Sequence, residues 1–297
     1  MMSEPEALAQ AALPLLKVVR FVERLEPGAT ALLEFHDPYP RWAVVDSGDM
    51  TRFPAVWKSG SCPRNPRDPT PEVRVSPPWP AELSVLFIPL NLENEWAAKA
   101  EAWMQSEPSP AAQTVRVPLA GGWLLWQPGR AAALCQPEQS EALLVLLARF
   151  SFYESELRRL EAEIAGDWAV VESDIPLTHD VKAADLCRQA QLGEMTQRTL
   201  QRRMRHVRIE QHLLNPAGTG PLAKVARYLQ RKLRIANRLE ALDGQLETYE
   251  YVYELANQRM AEYANFRREY LVEWLIVIVL ALEVVVVIAE LFLAYHA

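Results

Sequence analysis

The stretch Leu271 to Ala297, LVEWLIVIVLALEVVVVIAELFLAYHA, restricts this chain more than any other part of it. From Trp274 to Tyr295 nearly every residue is apolar. A helix of about twenty residues, rising about 1.5 Å per residue, crosses a hydrocarbon core of roughly 30 Å. No other segment is as long and as apolar, so the sequence predicts one C-terminal transmembrane helix over 271–297 with the remainder on one side. The competing reading is a buried helix of a soluble domain, kept open by Glu273, Glu283 and Glu290. Glu273 fits an interface beside Trp274, but an ionised Glu283 facing lipid costs about 2.5 kcal/mol or more. Glu283 is therefore expected to be protonated, hydrogen-bonded or turned toward another helix, and Glu290 can snorkel toward the far side; Glu283, Glu290 and Trp274 are the candidate contacts between packed helices.

Flanking charge sets the expected orientation. Arg259, Arg267 and Arg268 precede the apolar run and only His296 follows its aromatic end, so the positive-inside rule leaves the large N-terminal part in the cytoplasm. The N-terminus, MMSEPEALAQAALPLLKVVR, has acids before its first lysine and fits neither a signal peptide nor an Arg-rich leader. Cys62, Cys135 and Cys187 are far apart and odd in number, the usage of a reducing compartment.

Upstream of the apolar run lies a second strong pattern. Ile235, Leu239, Leu242, Leu246, Tyr249, Tyr253, Ala256, Met260 and Tyr263 are separated by alternating gaps of four and three, a coiled-coil seam sustained over about four heptads. Its register continues through Arg267 to Tyr270, Trp274 and Val277. Gly244 lies off the seam and leaves one rod or a hairpin open; a mostly continuous rod is favoured. Such a stripe needs partner helices, from the chain itself or from other copies, so a homo-oligomer is expected.

The first 135 residues read as a small mixed α/β module. Residues 29–35, 42–46 and 84–92 are apolar runs bounded by Pro, Gly and Asp, and 114–118 with 122–127 resembles a hairpin. Trp96, Ala97, Ala100 and Trp103 recur at helical spacing over 94–105. Seven prolines between Pro63 and Pro80 mark a loop. From 136 to 220 the pattern is helical, with Leu143, Leu146, Leu147, Phe150, Tyr153, Leu157, Leu160 and Ile164 on one stripe and a stop at Gly166. A second helical stretch runs from Val181 to Leu214, and Asn215 to Pro221 breaks it. The expected fold is therefore α+β: an α/β module over 1–135, a helical region over 136–220, a coiled-coil stalk over 221–270 and the anchor over 271–297.

Net charge is −7, yet eleven Lys or Arg and a single acid fall between Arg198 and Arg238. That stretch carries about +10, leaving about −17 for the rest of the chain. Arg198, Arg202, Arg205, Arg208, Arg227, Arg231 and Arg234 are its candidate patch. They suit anionic lipid headgroups, RNA phosphates, or the acids of the same chain, and the last is the leading reading.

No phosphate-binding glycine loop, dinucleotide fingerprint, zinc-protease helix or nucleophile elbow is present, and no cofactor or metal is read from the sequence. The five histidines are scattered. His36 with Asp37 and His179 with Asp180 are the only histidine-acid neighbours, and a site drawing on them and Glu154 would have to be assembled by the fold.

Two segments carry a resemblance. Glu273-Trp274, the block IVIVLAL and Glu283-Val284 are similar to the C-terminal pattern L-E-W-x-I-x-I-L-I-x-x-E of the required-for-meiotic-nuclear-division family, with Val272 in place of its usual Leu. LARFSFYE, residues 147–154, resembles that family's apolar helix ending in an aromatic-Glu pair. The close match covers about 25 residues, and the helical approach here is longer and the Pro-rich loop different. The resemblance implies an α/β part followed by helices, homo-oligomers, and an anchor in a bacterial or mitochondrial inner membrane. Members in mitochondria are linked to organellar translation.

The combined expectation is a tail-anchored, self-associating scaffold displaying an α/β module to an unidentified protein partner, on the cytoplasmic face of an inner membrane or the matrix face in an organelle. The alternative is a membrane-tethered enzyme or RNA-binding protein acting on nucleotides or nucleic acid.

Overall fold

A computed structural model of the chain describes residues 13–26, 29–35, 41–47, 82–106, 114–215 and 220–296. They divide into two units, 1–163 with 204–243, and 164–203 with 244–297.

The first unit is built on a seven-stranded mixed sheet in the order β2-β3-β1-β4-β7-β6-β5. Its strands are β1 (Leu15–Val22), β2 (Ala31–Phe35), β3 (Arg41–Ser47), β4 (Glu82–Ile88), β5 (Val115–Leu119), β6 (Gly122–Gln127) and β7 (Arg130–Leu134). All pairs are antiparallel except β4 with β7. Turn chemistry sets the register of the last three strands. Gly121 (φ +82°) closes the two-residue connection from β5 to β6. Pro128 followed by Gly129 (φ +80°) gives the sequence of a type II turn between β6 and β7. Gly122 meets a different demand, because a Cβ there would lie 1.9 Å from the Leu134 carbonyl oxygen.

Side chains alternate across this sheet, and each face receives a helix. On one face Leu86, Ile88, Trp123, Leu125, Ala132 and Leu134 pack with Ala100, Trp103 and Met104 of α1 (Glu93–Gln105), where Trp96 and Ala97 also lie. On the other face Trp126 is fully buried. Its ring meets Phe150 of α2 (Pro137–Asp174) edge-on at 5.4 Å, and its Nε1 donates to Ser151 Oγ at 3.1 Å. Phe152 stacks on Phe35 at 3.9 Å. α3 (Gln189–Leu214), α4 (Pro221–Lys232) and α5 (Ile235–His296) complete the helices.

Gly166 does not end α2, which continues to Asp174. The predicted stalk does not begin at 221, since Arg234 adopts φ +51° and separates α4 from α5. Gly244 lies inside an unbroken α5. The Pro-rich loop 63–80 lies outside the described residues.

The expectation of a transmembrane helix over 271–297 is corrected. Among the described residues, no helix is long and apolar enough to cross a membrane. Glu283 lies exposed within the apolar run, and an ionised carboxylate facing lipid costs about 2.5 kcal/mol or more.

In the second unit the heptad seam is satisfied by the chain's own helices. Leu246, Tyr249, Tyr253, Ala256 and Met260 have no exposed surface. The Tyr249 hydroxyl donates to the Ile164 carbonyl at 2.7 Å, and Trp168 lies 5.5 Å from the Tyr249 ring. Asn257 donates to Thr196 Oγ1 at 2.7 Å. These residues of α2 and α3 supply the partners that the seam requires, so recruitment of further copies by this part of the seam is not needed.

Burial pushes the Tyr249 hydroxyl up to about 12, and burial with the nearby Asp174 carboxylate raises Tyr253 as well. An unfolded tyrosine ionises near about 10. Below that pH both states hold these protons; above it the unfolded chain releases them while the folded chain retains them, so stability falls as pH rises from about 10 to 12. The melting temperature of the full chain is expected to drop over that window, and Tyr249→Phe with Tyr253→Phe to flatten the drop. Equal slopes for the two proteins in circular-dichroism melts would refute this linkage.

Candidate functional site

Helix α4, PLAKVARYLQRK, is amphipathic in an unusual way. Ala223, Val225, Ala226 and Leu229 are buried, whereas Lys224, Arg227 and Arg231 occupy the opposite face at spacings of three and four with the half-buried Tyr228 among them. Lys232 lies four residues beyond Tyr228. Gly220, at φ +95°, precedes the helix and Pro221 occupies its first turn, where a missing N–H costs nothing.

This helix packs beside β5, which is an edge strand. Between them lies an open cleft of about 630 Å³ lined by Thr114, Val115, Arg116, Val117, Pro118, Gly122, Trp123, Tyr228 and Lys232. Arg116 is held from two sides: its guanidinium lies 5.7 Å from the Trp123 ring and 3.4 Å from a Glu101 oxygen. The Tyr228 ring has the Arg231 guanidinium at 5.9 Å and the Lys232 ammonium at 5.6 Å. Trp123 is buried and its Nε1 has no acceptor among the described residues. The cleft wall therefore offers cations, two aromatic rings and a spare donor. None of the lining residues is Asp, Glu, His or Cys, so the cleft suits holding an anion with a planar group better than acid-base chemistry.

The predicted basic patch is divided by the fold. Arg198 pairs with Glu194 at 2.7 Å, Arg202 with Asp167 at 2.5 Å, and Arg205 with Glu163 at 2.9 Å and Glu156 at 3.3 Å. Arg208 is half-buried on α3. Arg227, Arg231 and Arg234 stay exposed. Lys224, Lys232 and Arg116 join the exposed set and were not singled out from the sequence. The available signal for the two lysines was their helical spacing with Tyr228; nothing local marked Arg116.

The remaining candidates separate from the cleft. Ile235, Leu239 and Leu242 are buried in the first unit, as Leu246, Tyr249, Tyr253 and Met260 are in the second. Trp274 and Glu283 are exposed on α5, with Trp274 at 6.3 Å from Tyr270, and the Glu290 side chain lies outside the described ones. His36 also lies outside the described residues, and His179 is exposed. His206 is buried with Nε2 3.1 Å from the Leu239 carbonyl, and His212 stacks on Tyr153 at 4.2 Å. Among the described residues no group of His, Cys, Asp and Glu is arranged to hold a metal.

Glu154, the acid of the LARFSFYE segment, is buried and serves the helix packing. Its carboxylate accepts from Arg158 at 2.5 Å and Arg238 at 3.2 Å, while Arg238 also donates to Glu161 at 2.7 Å. Burial alone lowers the Arg238 pKa, but the hydrogen bond and charge of Glu161, then those of Glu154, outweigh it and hold the guanidinium charged. Glu156 extends the cluster to Arg41 of β3 at 3.1 Å.

Compared with known proteins, the chain matches no family model, no curated protein and no solved structure. The likeness to the required-for-meiotic-nuclear-division family accordingly rests on the two quoted segments alone.

Proposed function

We propose that the protein is a self-associating scaffold, in which the C-terminal part of α5 packs against copies of itself and the sheet unit is displayed to other molecules. One observation carries this reading. The spacing of four and three that is buried up to Met260 runs on through Tyr270, Trp274, Val277, Ala281 and Val284, and from Tyr270 onward these residues are exposed. A contiguous apolar surface of this kind is larger than monomers ordinarily present to water, and continuity of the register makes another copy of the same helix its natural cover.

A second reading is favoured by a different property of the same segment. Leu275, Ile276, Ile278, Val279, Leu280 and Leu282 are exposed as well, so the helix is apolar on all its faces, which suits attachment to lipid.

Paired substitutions distinguish the two. With Val277→Lys and Val284→Lys on the register, assemblies of the full chain, captured by crosslinking at each concentration, are expected to dissociate at concentrations tenfold or more higher than wild type. Leu275→Lys with Val279→Lys, off the register, is expected to change assembly much less. Equal loss in both variants would contradict packing through the register. Single copies that float with phosphatidylglycerol vesicles, and do so less after either change, would favour lipid attachment.

A further inference from the structure

We propose that the cleft between α4 and β5, together with the exposed cation row of α4 outside it, binds single-stranded nucleic acid, with phosphates along Lys224, Arg227 and Arg231 and a base in the cleft against Tyr228 beside Lys232. Among the described residues, Lys224, Arg231, Lys232 and Arg234 have no carboxylate partner, whereas Arg202, Arg205 and Arg238 are paired inside the fold. Within the basic stretch 198–238, the positive charge left over is therefore concentrated on α4 and the Arg234 that follows it. On that helix the three phosphate-facing cations are separated by about 4.5 and 6 Å along the axis, a row that follows a strand and not a single ion.

Base recognition comes from the aromatic rings. Tyr228 is half-buried with the Arg231 guanidinium and the Lys232 ammonium over its ring, so a base that displaces one of these flexible side chains stacks on the tyrosine while the cation turns to its phosphate. The cleft, about 630 Å³, is within the range that admits a ligand of nucleotide size. The Trp123 indole N–H, buried at its wall without an acceptor, is a polar group that the protein alone leaves unsatisfied. A lipid surface fits less well, because the apolar side of α4 is buried in its own unit and nothing remains on the helix to enter an acyl layer. This site belongs to the first unit and does not depend on assembly through the end of α5.

The test is anisotropy of a fluorescent dodecauridylate with the full-length protein over a range of salt, alongside a duplex of equal length. The single strand is expected to bind in preference to the duplex. Arg231→Glu with Lys232→Glu should weaken binding at least tenfold and reduce the slope of log affinity against log salt by about 0.7 per lost contact. Tyr228→Ala should weaken binding about 5- to 100-fold with the slope kept. Melting curves matched to wild type establish that the variants are folded. Absence of binding, wild-type affinity in both folded variants, or binding to phosphatidylglycerol vesicles in place of the oligonucleotide overturns the proposal.

Discussion

Trp126→Ala is expected to destabilise the first unit by about 3–5 kcal/mol, the cost of emptying a large aromatic site in a packed core. The indole has no exposed surface, meets Phe150 at 5.4 Å and donates to Ser151 at 3.1 Å. Truncation opens a cavity between β6 and α2 and leaves the Ser151 hydroxyl without that donor. Trp126→Phe keeps most of the volume and is expected to cost far less, about 1–2 kcal/mol, with the lost hydrogen bond as one component. Denaturant titration of the full chain, followed by the signal of the sheet unit, measures both. A loss below about 1 kcal/mol for alanine would mean that α2 does not cover this face of the sheet.

A comparable loss is expected from stripping Glu154 of its partners. Arg158→Met with Arg238→Met leaves a carboxylate that is 1% exposed facing apolar side chains, and breaking a buried pair in this way costs about 3–5 kcal/mol. Adding Glu154→Leu to the same protein removes the stranded charge and is expected to restore most of the stability, because an apolar replacement of a whole buried ionic group is often neutral. The three-way comparison is read by thermal melts. If the triple variant is no more stable than the double, the ionic cluster contributes something other than mutual compensation of buried charge.

Much of the fold was legible where a local pattern and its punctuation agree. The runs at Ala31–Phe35 and Arg41–Ser47 are apolar and bounded in the sequence by Pro, Gly and Asp, and Gly121 marks the β5-β6 hairpin. The two strands that the sequence hides have identifiable reasons. β1, LLKVVRFV, carries Lys17 and Arg20 and lies between β3 and β4, so its two-sided pairing is a property of the fold and not of its own residues. β7, RAAAL, is rich in alanine, a poor strand former, and is central because its small side chains leave room for the buried layers on both faces.

The helical features divide in the same way. Spacing identified the α5 seam from Ile235 to Met260, but spacing is blind to whether the covering helix belongs to the same chain, and here Ile164, Trp168 and Thr196 supply the cover. Charge density marked Arg198 to Arg234 without distinguishing Arg205, locked to Glu156 and Glu163, from Arg231, which is exposed. Gly166 reads as a helix stop, yet a glycine in a long, well-packed helix costs only about 1 kcal/mol and α2 absorbs it. The apolar content of 271–297 suggests a membrane crossing, but among the described residues no helix is long and apolar enough to make one, and Glu283 lies within the run.

In the proposed assembly, α5 meets its own chain up to Met260 and other copies of itself beyond. Sedimentation velocity of the full-length wild-type protein across a hundredfold range of concentration tests this most directly. A species at a multiple of 33.7 kDa that dissociates on dilution is expected. A particle of 33.7 kDa at every concentration, stable and free of aggregates, would contradict it.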